Sequence, residues 1–149
     1  MASKEKVRLT FYGAAQTVTG SKYLLEWGKF KILVDAGLFQ GRKELRLRNW
    51  AVPEFDPAEL DAIVLTHAHI DHSGYLPLLV KRGFKGPVFA TPATIELLGL
   101  LLPDSAHLQE EEAKYNNKKG SASHKPAKPL YTVTEAKQAL ELLRPMARI

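Results

Sequence analysis

Between positions 66 and 72 the chain reads Thr66-His67-Ala68-His69-Ile70-Asp71-His72, which packs three imidazoles and a carboxylate into six positions. Neutral imidazole nitrogen and carboxylate oxygen both bind divalent cations, and zinc accepts either at about 2.0–2.2 Å. In an extended or sharply turning segment His67 and His69 project to the same side, while Asp71 and His72 at the following turn can curl back toward a second point. One loop can thus begin two metal sites. Catalytic zinc keeps a position open for water, and a water shared by two cations is acidic enough to act as a nucleophile at neutral pH. A lone histidine is more often a packed or surface side chain. Scattered histidines do not account for three of them with an aspartate at this spacing, between a buried strand and Gly74.

Something rigid must hold such a cluster. Ala62-Ile63-Val64-Leu65 is a continuous apolar run of the kind found in strands buried on both faces, and it stops at Thr66. The histidines therefore begin where a buried strand ends. Upstream, residues 7–12 alternate Val7, Leu9 and Phe11 with Arg8 and Thr10, the mark of a half-buried strand. Residues 22–27 and 30–35 read as a hairpin turning at Gly28-Lys29. Asp56 before Pro57 predicts a short helical turn. Next come a helix over 74–82 closed by Gly83, a buried strand over 87–90, and a helix opened by Thr91-Pro92 that runs toward Tyr115 with an interruption near Pro103. Residues 116–129 predict an exposed loop, Thr134 caps a last helix to about Leu143, and the end leads toward a further strand. Strands alternating with helices predict an α/β layered domain.

At 149 residues there is room for one domain. With no cysteine, any metal must be held by His, Asp or Glu. The formal charge is +5 and the pI near 9.4, compatible with a polyanionic partner such as nucleic acid. Arg42, Lys43, Arg46 and Arg48 form one basic group, and Lys114, Lys118, Lys119, Lys125 and Lys128 a second; a solvated face or loose loop is the plainer reading of both. The first residues lack the apolar core of a secretory signal, and the longest apolar stretch, 97–102, falls far short of the ~20 residues that span a bilayer. Cytoplasm is the expectation, with no membrane partner.

The run His67-x-His69-x-Asp71-His72 resembles the HxHxDH signature of the metallo-β-lactamase superfamily. Four further stretches resemble its β-CASP branch of RNA-processing nucleases: Phe11-Tyr12-Gly13-Ala14-Ala15, Val18-Thr19-Gly20-Ser21, residues 33–41 with Asp35-Ala36-Gly37, and Thr66 to Gly74. The resemblance implies the N-terminal half of a metallo-β-lactamase αββα sandwich, two zinc ions, and RNA as the substrate. It makes His67 and His69 ligands of a first zinc and Asp71 and His72 ligands of a second. It places Asp71 and Asp35 in the catalytic set, with Asp35 supporting the metal site through hydrogen bonds; a plain turn carboxylate is the competing reading. Gly13, Gly20 and Gly41 become positions needing positive φ or close approach.

The family supplies a further histidine, a bridging aspartate and a last histidine from later segments, as well as the β-CASP insertion, and none of these is among the 149 residues. His107, among glutamates, and His124, in the lysine-rich stretch, have no setting that suggests a ligand. The expectation is an N-terminal portion of a longer domain, with weak metal binding and feeble activity alone. Two other functions remain open. One is a thioesterase or lactonase on the same fold, since the signature reports metal chemistry and not substrate. The other is a non-catalytic half-domain that self-associates or pairs with a chain supplying the missing half.

Overall fold

The computed structural model describes residues 5–121 and 126–146. The first four residues, His124, Lys125 and the final residues 147–149 lie outside the described residues. The elements follow in the order β1 (Val7–Phe11), β2 (Tyr23–Trp27), β3 (Phe30–Val34), α1 (Lys43–Leu47) with a 3-10 turn at Arg48–Trp50, and a 3-10 turn at Pro57–Glu59. Then come β4 (Ala62–Val64), α2 (Ile70–Ser73), α3 (Leu76–Lys81), β5 (Val88–Ala90), α4 (Pro92–Lys119), α5 (Val133–Leu140) and β6 (Leu143–Pro145). Among the described residues the strands form one sheet in sequence order. β1, β2 and β3 pair antiparallel, and β3 to β6 run parallel.

The register explains which face is covered. Leu24 pairs with Leu33, Leu33 with Ile63, Ile63 with Val88 and Val88 with Leu143, so these side chains line one face, and all are buried. They share a core with Leu76 and Leu79 of α3, Leu98, Leu102 and Ala106 of α4, and Ala136 and Ala139 of α5. Each fully buried aliphatic side chain contributes roughly 1.5–3 kcal/mol. The opposite face carries Val7, Leu9, Phe11, Trp27 and Phe30. There the expected half-buried β1 is corrected: Val7 is 64% and Phe11 57% exposed. The alternation is real, but the helices pack on the other side of the sheet.

Three boundaries depart from the sequence reading, each for a local reason. The helix expected over 74–82 is α3 alone, and it starts at Leu76, separate from the short α2 that ends at Ser73, because the Tyr75 amide donates to the Ala36 carbonyl at 2.8 Å and Pro77 has no amide to return to Ser73. α4 runs through Pro103 without stopping and reaches Lys119, past the expected start of the loop. Its buried stripe of Leu98, Leu102 and Ala106 spans the proline, and the lost hydrogen bond belongs to Gly99, whose Cα has open space around it. Asn117 then clamps residue 127, donating to the Ala127 carbonyl at 3.0 Å and accepting from its amide at 2.7 Å. α5 is capped by Thr132 rather than Thr134, through a reciprocal capping box with Glu135.

Candidate metal centre

The centre is built at the carboxyl ends of β3 and β4. In the parallel register Val34 lies beside Val64, so Asp35, one residue on, and Thr66, two residues on, emerge close enough for the Thr66 amide to reach the Asp35 carboxylate. The Asp35 amide extends the ladder by donating to the Val64 carbonyl at 2.8 Å. Asp35 then turns to φ 62°, the left-handed region that a short polar side chain tolerates best among non-glycine residues. That turn buries the carboxylate, leaving the residue 2% exposed.

The buried carboxylate is fully compensated. It accepts from the Thr66 amide at 2.8 Å, from the Thr66 hydroxyl at 2.9 and 3.0 Å, and from His72 Nδ1 at 2.8 Å. Hydrogen bonds to a charged group contribute about 1.5–3 kcal/mol each. This network also fixes the imidazole tautomers. A carboxylate only accepts, so His72 carries its proton on Nδ1 and its lone pair on Nε2. The Thr66 hydroxyl spends its hydrogen on Asp35, so toward His67 Nδ1, 2.9 Å away, its oxygen accepts. His67 too is protonated at Nδ1 and presents Nε2 as a lone pair.

The loop from His69 to Tyr75 is stitched to its neighbours by main-chain bonds: Ser21 amide to Asp71 carbonyl at 3.0 Å, Ala36 amide to His72 carbonyl at 2.8 Å, and Leu38 amide to Ile70 carbonyl at 3.1 Å. Gly37 is required at this seam, since a Cβ there would stand 1.7 Å from the Asp71 carbonyl oxygen. Ser73 donates its hydroxyl to the Ala68 and His69 carbonyls and closes the turn from below.

The ligand candidates meet as two pairs. His67 Nε2 lies 3.1 Å from His69 Nδ1, and His72 Nε2 lies 3.5 Å from an Asp71 carboxylate oxygen. Two donors on one tetrahedral zinc stand roughly 3.3 Å apart, so each pair spans one edge of such a tetrahedron. The His67 and His72 ring centres are 4.1 Å apart and those of His67 and His69 4.7 Å, so the two pairs are adjacent. Among the described residues no three His, Asp or Glu side chains surround a single point. His107 lies exposed on α4. Of the basic groups, Arg42, Lys43, Arg46 and Arg48 are exposed on and beside the short helix α1, a solvated face; Lys114 pairs with Glu111 at 2.7 Å.

Sequence reasoning missed two residues. Thr66, seen there only as part of the motif, is the hydroxyl that links Asp35 to His67; a hydroxyl directly before the first histidine was the available signal. Lys22, placed simply in a strand, is buried; a lysine between Ser21 and an apolar strand was its signal.

A family model described as Metallo-beta-lactamase superfamily matches residues 17–136. Ribonuclease TTHA0252 of Thermus thermophilus is 40% identical over 140 residues, covering 94% of this chain and 28% of that relative. Transcription termination factor FttA of Methanosarcina mazei is 40% identical over 109 residues, covering 72% of this chain and 17% of its own. Among solved structures, a Cronobacter sakazakii metallo-beta-lactamase with a HARLDQ motif is 29% identical with a TM-score of 0.41, over 55% of this chain and 29% of that one. No helix of the described residues is long and apolar enough to cross a membrane. The donor pairs, in the segment that follows β4, thus lie within the matched span, and the chain belongs to the metallo-beta-lactamase superfamily.

Proposed function

We propose that this chain supplies the front half of a two-cation hydrolytic centre of the β-CASP kind, which cuts RNA phosphodiester bonds. The observation that carries the reading is the arrangement of the donor pairs at 3.1 and 3.5 Å, with two imidazole lone pairs fixed in place by Asp35 and Thr66. Imidazole nitrogen with a carboxylate and no thiolate suits zinc. His67 and His69 would hold one ion, and Asp71 and His72 the other. Bound there, the ions would acidify a water and draw charge from the attacked phosphorus. Asp35 is a positioning residue: it holds the His72 ring and, through Thr66, the His67 ring.

RNA as the substrate is supported by the ribonuclease relative and by the net positive charge. A cleft of about 970 Å³ between α1 and α4 carries Lys43, Arg46 and Lys128, with Asp104 and Glu112 as acidic counterparts. The half-exposed apolar face of β1, β2 and β3 supports reading the chain as one half of a sandwich that a second sheet completes. The chain spans about a quarter of the length of the ribonuclease it matches.

The test is to load the protein with zinc and offer it RNA, a thioester and a lactone. Loosely held zinc and slow RNA cleavage, both lost on chelation and in His69→Ala, are expected. Turnover of the thioester or lactone with RNA untouched would contradict the substrate assignment. Near-stoichiometric, tightly held zinc with vigorous RNA hydrolysis would contradict the half-site.

A further inference from the structure

A second pocket, of about 370 Å³, is lined in part by Gly13 and Ala15 of the β1–β2 connection, and none of His67, His69, Asp71 or His72 lines it. Its inner wall holds Lys22, which is 4% exposed. The ammonium donates to the Gly20 carbonyl at 3.2 Å and lies 4.5 Å from the Phe39 ring centre and 4.4 Å from that of Tyr75. No carboxylate answers it: none of the ion pairs among the described residues includes Lys22. A buried cation without a counter-charge is costly, and here it faces an open cavity. Arg48 lines the same cavity with its guanidinium 5.6 Å from the same Phe39 ring, so the cavity wall carries two cations near one aromatic side chain. Glu54 is the carboxylate on the wall; it is exposed and therefore screened by water. Tyr12 and Phe55 line the same cavity, and their rings, 5.0 Å apart at 54°, form an aromatic wall. The site is built into the fold: Gly20, at φ 78°, has no room for a Cβ, which would come within 2.5 Å of the Phe39 ring.

We propose that this pocket binds a nucleoside monophosphate, with the phosphate drawn to the two cations of its wall, Lys22 and Arg48, and the base against Tyr12 and Phe55. The phosphate supplies the missing counter-charge through charge-assisted hydrogen bonds, and the aromatic wall offers the stacking surface that bases take irrespective of sequence. A volume near 370 Å³ is of the size of small-ligand pockets. Burial also lowers the Lys22 pKa to about 7, as it does for a cation lacking its partner.

The test is calorimetric titration of the full chain with AMP, adenosine and inorganic phosphate in the presence of EDTA, so that binding at the metal centre makes no contribution. AMP is expected to bind more tightly than either fragment. Lys22→Met should weaken AMP roughly 10- to 100-fold, and Tyr12→Ala should weaken AMP about tenfold while leaving phosphate unchanged. Arg48→Ala, an exposed change that leaves the core intact, should weaken both AMP and phosphate. Absence of AMP binding, phosphate binding as tightly as AMP, or unchanged affinity in both Lys22→Met and Arg48→Ala would overturn the proposal and leave the metal-centre reading untouched.

Discussion

Asp35 and Lys22 are buried to nearly the same depth, 2% and 4% exposed, but their surroundings differ in kind. The carboxylate gathers an amide, a hydroxyl and an imidazole. The ammonium has one carbonyl and two ring faces. The first is a finished network, whose satisfied groups orient other residues. The second is a half-built one, whose missing partner must come from solution or be avoided by giving up the proton. A buried charge therefore reveals its purpose by what surrounds it more than by its depth.

The two substitutions that remove these charges should act in opposite directions. Asp35→Ala strands the Thr66 donors and His72 Nδ1, and is expected to cost about 3 kcal/mol or more in chemical denaturation and roughly 10- to 100-fold in metal affinity. Lys22→Met should stabilise the protein at pH 6 in phosphate-free buffer. Burial holds the Lys22 pKa at about 7, whereas an unfolded lysine titrates near 10.4. Above pH 7 the folded chain has shed a proton that the unfolded chain keeps, so the Lys22 penalty is full below pH 7 and fades as pH rises toward 10. The stability gap between Lys22→Met and the parent should close with a slope of up to ~1.4 kcal/mol per pH unit; a gap independent of pH would break the comparison. Thr66→Val should have the smallest effect, about 1 kcal/mol, together with a visible shift of the His67 tautomer toward Nε2–H in nitrogen NMR.

Much of this arrangement was readable before the structure. The run from His67 to His72, the apolar strand ending at Thr66 and the hairpin ending at Asp35 are local signals, and periodicity with spacing placed all three. What could not be read were relations between distant segments. That Asp35 and Thr66 are neighbours depends on the parallel pairing of β3 and β4, which no single stretch encodes. The exposed apolar side of β1 escaped for a similar reason, since alternation announces two faces but not which one the helices will cover. α4 passing through Pro103 reflects packing on both sides of the proline overriding a local breaker. Lys22 was hidden because a lysine beside a strand ordinarily points to water.

The most direct test of the central claim is long-range nitrogen–proton NMR of the histidine rings during zinc titration. The account predicts Nδ1–H tautomers for His67 and His72 before zinc, then coordination shifts at Nε2 of His67 and His72 and at Nδ1 of His69, with His107 unmoved. Zinc shifts at Nδ1 of His67 or His72, or no shift at all three rings, would contradict it.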